Sequence, residues 1–310
     1  MKMPQVLVLN NIGGGIGVRV ERLPMVNETI MMKELEPPGE DLAKGGNVAV
    51  ALTRLGIHTA IIGKIGKDEA GDRDWRWMEE AGVDLSVLLR SSEVSTGQGV
   101  GIVADNGDVM LITGVSSSRA LTKQEVMDAL ERYKSAEFYV GGFEVRPELV
   151  LAAARRAKEL GMKTVLNPSP VPKEGLEVID YIDYLFVNEI EGQILTGRPV
   201  SSSFDPQAIC REMLERFRPG CIVLTLGDRG SAYMKFDGEY RTIEPVPAKA
   251  VDSAGAGDGF MAAVVARLLS GESLYDACCF ASGYAAFSVT KRDCLPGYPT
   301  YEQLEEFLIS

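Results

Sequence analysis

Asp258 follows a short run of small residues, in Asp252-Ser253-Ala254-Gly255-Ala256-Gly257-Asp258-Gly259-Phe260. The residues behind it, Met261 to Leu269, are apolar on most faces and predict a buried helix. Glycine and alanine let the backbone turn tightly and approach a ligand closely. The N–H groups at a helix start are unpaired and lie at the positive end of the helix dipole. Gly255, Ala256 and Gly257 would therefore form an anion cradle suited to a phosphoryl group in flight. A carboxylate in that first turn, Asp258, points at the same place and can take the proton of an attacking hydroxyl. The same residues also serve as a plain helix start, with Asp258 as a first-turn acid and Asp252 as a turn residue.

Regular elements have to hold these groups in place. Short apolar runs at Gln5–Leu9, Thr59–Ile62, Phe138–Val140, Thr164–Leu166, Tyr184–Val187 and Cys221–Thr225 read as buried strands. Helical patterns lie between them, at Asn47–Leu55, Ala70–Glu80, Pro147–Leu160, Glu189–Thr196 and Pro206–Phe217. Gly257–Leu269, Leu274–Val289 and Thr300–Ile309 continue the helical pattern after Asp252. This alternation predicts an α/β fold with a doubly wound, mostly parallel sheet flanked by helices. Ligands of such sheets sit beyond the carboxyl ends of the strands. Val18–Leu35 and Gly99–Thr113 instead alternate as one-sided strands, the second with a turn at Asp105-Asn106-Gly107-Asp108. Together they predict a small β-sheet lid, formed by about 16–44 and 96–115 within one domain spanning 1–310.

Composition narrows the function classes. The chain has 310 residues, 45% of them hydrophobic and 25% charged, a globular profile. No apolar run reaches the roughly 18 residues a membrane span needs, and Met1 to Asn10 lacks the features of a signal peptide. A soluble cytoplasmic protein is expected. The net charge of −12 argues against general nucleic-acid binding but not against a locally positive ATP site. Five cysteines without a CxxC pair fit reduced thiols. The single histidine, His58, rules out a histidine triad or a multi-histidine metal centre and reads as structural. There is no Gly-x-x-x-x-Gly-Lys-Ser/Thr, and the glycines after the first strand miss the Gly-x-Gly-x-x-Gly spacing.

The 252–258 segment resembles the C-terminal signature of the ribokinase-like (pfkB) carbohydrate kinase family, Asp-Thr/Ser-x-Gly-Ala-Gly-Asp. Gly45-Gly46-Asn47-Val48-Ala49-Val50-Ala51-Leu52-Thr53-Arg54-Leu55-Gly56 is similar to its N-terminal signature, and Lys44 matches as well. Gly63-Lys64-Ile65-Gly66-Lys67-Asp68-Glu69-Ala70-Gly71 resembles a further family stretch and reads as a turn and helix cap. Asn167-Pro168-Ser169-Pro170, Asn188-Glu189-Ile190-Glu191 and Thr225-Leu226-Gly227-Asp228-Arg229-Gly230-Ser231 extend the likeness over nearly the whole chain. The resemblance implies transfer of the γ-phosphoryl group of ATP to a hydroxyl, with a primary one expected, on a sugar or sugar-like molecule. Asp258 would be the base, and Lys44, Gly46, Asn47 and Glu144 would hold the acceptor. Asn188, Thr225, Gly227, Gly230 and Ser282 would line the nucleotide site. Glu191 would organise Mg²⁺ through water, which suits an ion that keeps most of its waters. Asp252 would serve a K⁺ site near 290–297. Read without the resemblance, Asn188–Glu191 is a helix cap, Thr225–Ser231 a glycine turn and Ser282 a packing residue. A homodimer formed through the lids is implied too.

Two departures bear on the acceptor. Ribokinases carry Asn-x-Asp after the first strand, and Gly15 occupies the aspartate's place here. Leu42-Ala43 replaces a Gly-Gly before Lys44-Gly45. Ribose is therefore expected to be a poor substrate. The loop around Gly15 leaves room for a bulkier acceptor, offers N–H groups to an anionic one, or is a tight turn. A nucleoside or phosphosugar kinase and a catalytically idle sugar-binding regulator are the competing readings.

Overall fold

The computed structural model describes residues 3–36, 39–106, 109–112, 114–115 and 117–309. Its strands are β1 (Val6–Leu9), β2 (Gly13–Val20), β3 (Glu34–Glu36), β4 (Thr59–Gly66), β5 (Leu88–Ser91), β6 (Gly97–Ala104), β7 (Val109–Ile112), β8 (Phe138–Gly142), β9 (Lys163–Asn167), β10 (Tyr184–Asn188), β11 (Cys221–Thr225), β12 (Ser231–Lys235) and β13 (Tyr240–Ile243). Its α-helices are α1 (Ala43–Arg54), α2 (Glu69–Glu80), α3 (Lys123–Arg132), α4 (Pro147–Glu159), α5 (Glu189–Leu195), α6 (Pro206–Phe217), α7 (Ala256–Leu269), α8 (Leu274–Ser288) and α9 (Tyr301–Ile309).

Nine strands form the main sheet in the order β13-β12-β11-β10-β9-β8-β1-β4-β5. Pairing is parallel from β5 to β11 and antiparallel only at the β11-β12-β13 edge. Strand β1 shows why both faces are covered. Its residues alternate between two apolar cores, Val6 and Val8 in one and Leu7 and Leu9 in the other. The first core takes residues from α1, α2, α7, α8 and α9, the second from α3, α4, α5 and α6. Parallel strands cross over through helices, so every helix following a strand starts at the carboxyl edge of the sheet. Asn188 illustrates this, ending β10 and capping α5.

A second sheet of four strands, β3-β2-β6-β7, stands apart from the first. Here the expectation needs correcting. The glycine-rich segment is not a loop or a tight turn: β2 begins at Gly13 and pairs with β6 residue by residue, Gly13 with Gly97 and Gly15 with Gly99. A Cβ on Gly15 would lie 2.9 Å from the Gly99 carbonyl oxygen, so glycine is what lets the two strands approach. Glu28–Met32, expected to be strand, is irregular, and only Glu34–Glu36 completes the sheet on that side. The hairpin between β6 and β7 is antiparallel as expected. Gly107, Asp108 and Thr113 of that expectation lie outside the described residues. Met25, Val26, Met31, Met32, Leu35 and Ile112 are exposed on or beside this sheet.

Candidate active site

The predicted cradle is the start of α7. Gly255 is its N-cap, in the left-handed region at φ 71°. A side chain there would collide with the Tyr298 hydroxyl and with Cys294 Sγ, and the Tyr298 hydroxyl donates to the Gly255 carbonyl at 3.1 Å. Buried Tyr298 thus fixes the turn that presents the first N–H groups of α7. Nothing lies within 4 Å of where a Cβ on Gly257 would be, so the cradle is open at that residue. One residue later Asp258 is buried, at 8% exposure.

The start of α1 comes to the same place. Lys44 Nζ lies 3.6 Å from Asp258 Oδ1. The Lys44 N–H faces Glu144 Oε2 at 3.4 Å, so Glu144, from the segment after β8, joins the group. Asn47 is buried one turn into α1. Its Oδ1 accepts from the Leu42 N–H at 3.1 Å, and its Nδ2 donates to Asp41 Oδ1 at 2.7 Å. Gly46 is buried against the Leu42 side chain, which fills the space a Cβ would need. Ala43, where the resemblance implies glycine, still adopts the left-handed φ of 53° that glycine favours.

Charge decides how these groups stand at neutral pH. Burial raises the Asp258 carboxyl above the usual range, and the Lys44 ammonium opposes that shift. Asp258, in turn, holds Lys44 firmly protonated, helped by Glu144 and Glu191. Burial pushes Glu144 up to about 7 despite Lys44, with Asp258 and Asp41 adding to the rise. One ammonium therefore serves several carboxylates. Asp41 was not foreseen in the sequence. It belongs to no motif, and only the folded chain shows it against Asn47.

The residues expected to line a nucleotide site lie mostly at the next strand ends. Asn188 and Thr225 are register partners at the carboxyl ends of β10 and β11. Gly227 follows at φ 61° with nothing within 4 Å of its Cβ position, and Gly230 closes the turn at φ 83°, where a side chain would strike the Ile243 carbonyl. Asn188 and Glu191 form a full capping box on α5, Asn188 Oδ1 accepting from Glu191 N at 2.8 Å and Glu191 Oε2 from Asn188 N at 2.9 Å. The helix-cap reading is thus realised, yet the charge of Glu191 still reaches Lys44. Ser282 is buried in the middle of α8. Asp252 accepts from Ala254 N at 2.9 Å and from Asp293 N at 3.3 Å, tying the loop before α7 to the 290–294 turn. Asp68 caps α2 by accepting from Gly71 N, so Gly63–Gly71 is a strand end, turn and cap.

Among the described residues no three His, Cys, Asp or Glu side chains form a metal cage. Mg²⁺ keeps most of its waters and asks for one or two carboxylates beside the phosphates of a nucleotide. Glu191 fits that demand. Among the described residues, no helix is long and apolar enough to cross a membrane.

Comparison with known proteins places the whole chain beside known kinases. Residues 44–301 match the model of the pfkB family carbohydrate kinases. A ribokinase of Staphylococcus aureus is 28% identical over 97% of this chain and 99% of its own length. A ribokinase of Haemophilus influenzae is 30% identical over 86% of both chains. The structure of Arabidopsis thaliana ribokinase complexed with ribose and ATP superposes with a TM-score of 0.86, at 25% identity, over 99% of both chains.

Proposed function

This chain belongs to the pfkB family of carbohydrate kinases and is an ATP-dependent carbohydrate kinase, and from that premise we propose that Asp258 takes the proton of a primary hydroxyl on an unphosphorylated sugar as that oxygen attacks the γ-phosphorus of ATP. The observation that carries this is the buried Asp258, paired with Lys44 at 3.6 Å and placed one residue after the open Gly257. As the O–P bond forms, ADP leaves and the hydroxyl proton passes to Asp258. The first N–H groups of α7 face the charge on the moving group. Lys44, Asn47 and Glu144 line the acceptor side. Thr225, Gly227, Gly230 and Asn188 line the nucleotide side, and Ser282 of α8 is assigned to the same side. The small sheet acts as a lid of about 16–44 and 96–115 that excludes water from the reacting atoms.

The acceptor is uncharged for an electrostatic reason. Lys44 is already shared by Asp258, Glu144 and Glu191, which leaves it less available to pair with a phosphate on the acceptor. A phosphosugar would therefore be held less well there than an uncharged sugar. Gly15 offers no side chain and has no room for one, so a hydroxyl held by an aspartate at that position loses its partner. We expect ADP release to be driven by unphosphorylated sugars other than ribose. A panel of pentoses, hexoses, nucleosides and phosphosugars tests this. A phosphosugar or ribose as the best acceptor would overturn the assignment.

Mg²⁺, when bound, would offset the negative charge of the nucleotide phosphates. Glu191 would hold it through water, and Asp252 would serve a K⁺ ion beside the 290–294 turn. Glu191→Gln should raise the Mg²⁺ concentration needed for half-maximal activity by about ten-fold. A Mg²⁺ titration superimposable on that of the wild type would remove Glu191 from the site. Rates equal in K⁺ and Na⁺ would remove the monovalent ion.

The apolar residues exposed on the small sheet fit a second copy of the same sheet, giving a homodimer. Light scattering at micromolar concentration should report twice the 33.6 kDa chain mass. A monomeric mass would refute the dimer. Five cysteines, none of them paired, support a reducing, cytoplasmic setting.

A further inference from the structure

Helix α1 carries Lys44 and Asn47 at its start and Arg54 at its end. The proposed reaction uses the start and gives Arg54 no task. Arg54 is partly buried, and its guanidinium reaches the turn at Leu295–Gly297. There Nη1 donates to the Leu295 carbonyl and, at 2.8 Å, to the Tyr298 carbonyl. One nitrogen with two hydrogens thus holds both ends of the turn. Bonds from a charged donor are the stronger kind, and the planar guanidinium fixes the two carbonyls relative to each other. Tyr298 carries the hold onward. Its carbonyl meets Arg54, and its hydroxyl donates to the Gly255 carbonyl at 3.1 Å. That carbonyl also accepts the first helical bond of α7, from the Gly259 N–H at 2.9 Å. The Tyr298 ring is confined between these ends. It stacks beside buried Tyr284, and the two rings lie 3.1 and 3.0 Å from where a Cβ on Gly259 would be.

We propose that Arg54 is a positioning residue for the phosphoryl transfer, holding the anion cradle of α7 in place through Tyr298. This rests on the start of α7 being where the phosphoryl group passes. Helix α1 is then registered on α7 at both ends. Lys44 Nζ lies 3.6 Å from Asp258 Oδ1 at one end. Arg54, about 15 Å further along the axis, reaches Gly255 through Tyr298 at the other. The acceptor side is built on α1 and the cradle on α7. A slip between the two helices would change how the hydroxyl meets the phosphorus, and small misplacements of that kind are costly in rate. Arg54 touches neither substrate nor phosphate. Without it the turn still has the bond from the Leu295 N–H to the Glu40 carbonyl at 2.8 Å, so the loss falls on the placing of Tyr298 rather than on the fold.

The test compares wild type, R54M, Y298F and the double variant as full chains, with ATP, Mg²⁺ and the sugar that leads the acceptor panel. Methionine keeps the apolar stem and deletes both donors, and phenylalanine deletes only the hydroxyl. R54M should lower kcat about ten-fold, with both KM values within about two-fold of wild type. Aluminium fluoride added with ADP mimics the moving phosphoryl group. Its affinity should also fall about ten-fold in R54M, while ADP alone binds as it does to the wild type. A merely structural role would not separate those two affinities. In a Y298F background R54M should cost less than about two-fold, because the link it acts through is already cut. An equal loss in both backgrounds would overturn the proposal. So would a wild-type kcat for R54M, or a lower kcat with unchanged affinity for the mimic. If R54M does not fold, Y298F decides: a loss of both kcat and mimic affinity supports the proposal, and wild-type values contradict it. A wild-type protein that binds ADP no more tightly with aluminium fluoride removes the cradle itself. An additive cycle on a wild type that does bind the mimic removes Arg54 alone.

Discussion

Asp258→Asn should lower kcat by about 10² to 10⁴ while ATP still binds. The change removes one negative charge and the proton acceptor but keeps the shape of the side chain. Lys44, 3.6 Å away, would then face an amide oxygen or nitrogen instead of a carboxylate. The cradle at the start of α7 consists of backbone groups and survives the change, so residual turnover over the uncatalysed rate is expected. Removing a buried carboxylate from a crowded acidic site should not destabilise the fold. Nucleotide binding by calorimetry and acceptor-dependent ADP release, measured on the same preparation, separate loss of chemistry from loss of structure. A kcat within a few-fold of wild type would mean that another group takes the proton.

Lys44→Met should come second in size and should also move the pH profile. Methionine keeps the apolar stem and deletes the ammonium. Burial raises the Asp258 carboxyl and Lys44 opposes the rise, so the variant's Asp258 holds its proton to higher pH. In the proposed reaction the reactive form is the carboxylate. The acid limb of kcat/KM therefore shifts upward in pH, and the loss is greatest on the acid side. Glu144 shifts in the same sense, since Lys44 also lowers it from a position pushed up to about 7. Near neutral pH both effects reduce the rate, by about 10² in all when the missing charge on the acceptor side is included. An acid limb that stays where it is in the wild type would show that Lys44 does not set the state of the base.

The candidate site is legible in the sequence where backbone geometry restricts the residue type. Gly255 has to be glycine because of its left-handed φ and the Tyr298 hydroxyl behind it, and that demand leaves a readable Gly-Ala-Gly-Asp. The buried strands of the main sheet were legible for a similar reason, as β1 must be apolar on both faces. Other parts were not. Glycines at 13 to 15 suggest a turn, yet here they allow β2 to approach β6 at van der Waals limits, which depends on a partner about 80 residues away in the chain. The β12-β13 hairpin and β5 are not legible because such short strands carry weak alternation. Helix α3 was missed although Thr122 and Glu125 spell a capping box. Asp41 could not be read at all. It belongs to no motif, and only the fold of the segment before α1 sets it against Asn47, six residues further on.

The central claim is that an uncharged sugar leaves this site as a phosphate ester made by Asp258. Phosphorus NMR of one reaction mixture, holding ATP, Mg²⁺ and the best acceptor, tests it most directly. With wild-type protein the account predicts a new ester signal, split by the two protons of a primary carbon, growing as the γ-phosphate signal of ATP declines. With the Asp258→Asn protein the ester should be nearly absent over the same period. Inorganic phosphate in place of the ester, or an equal ester signal from both proteins, would contradict it.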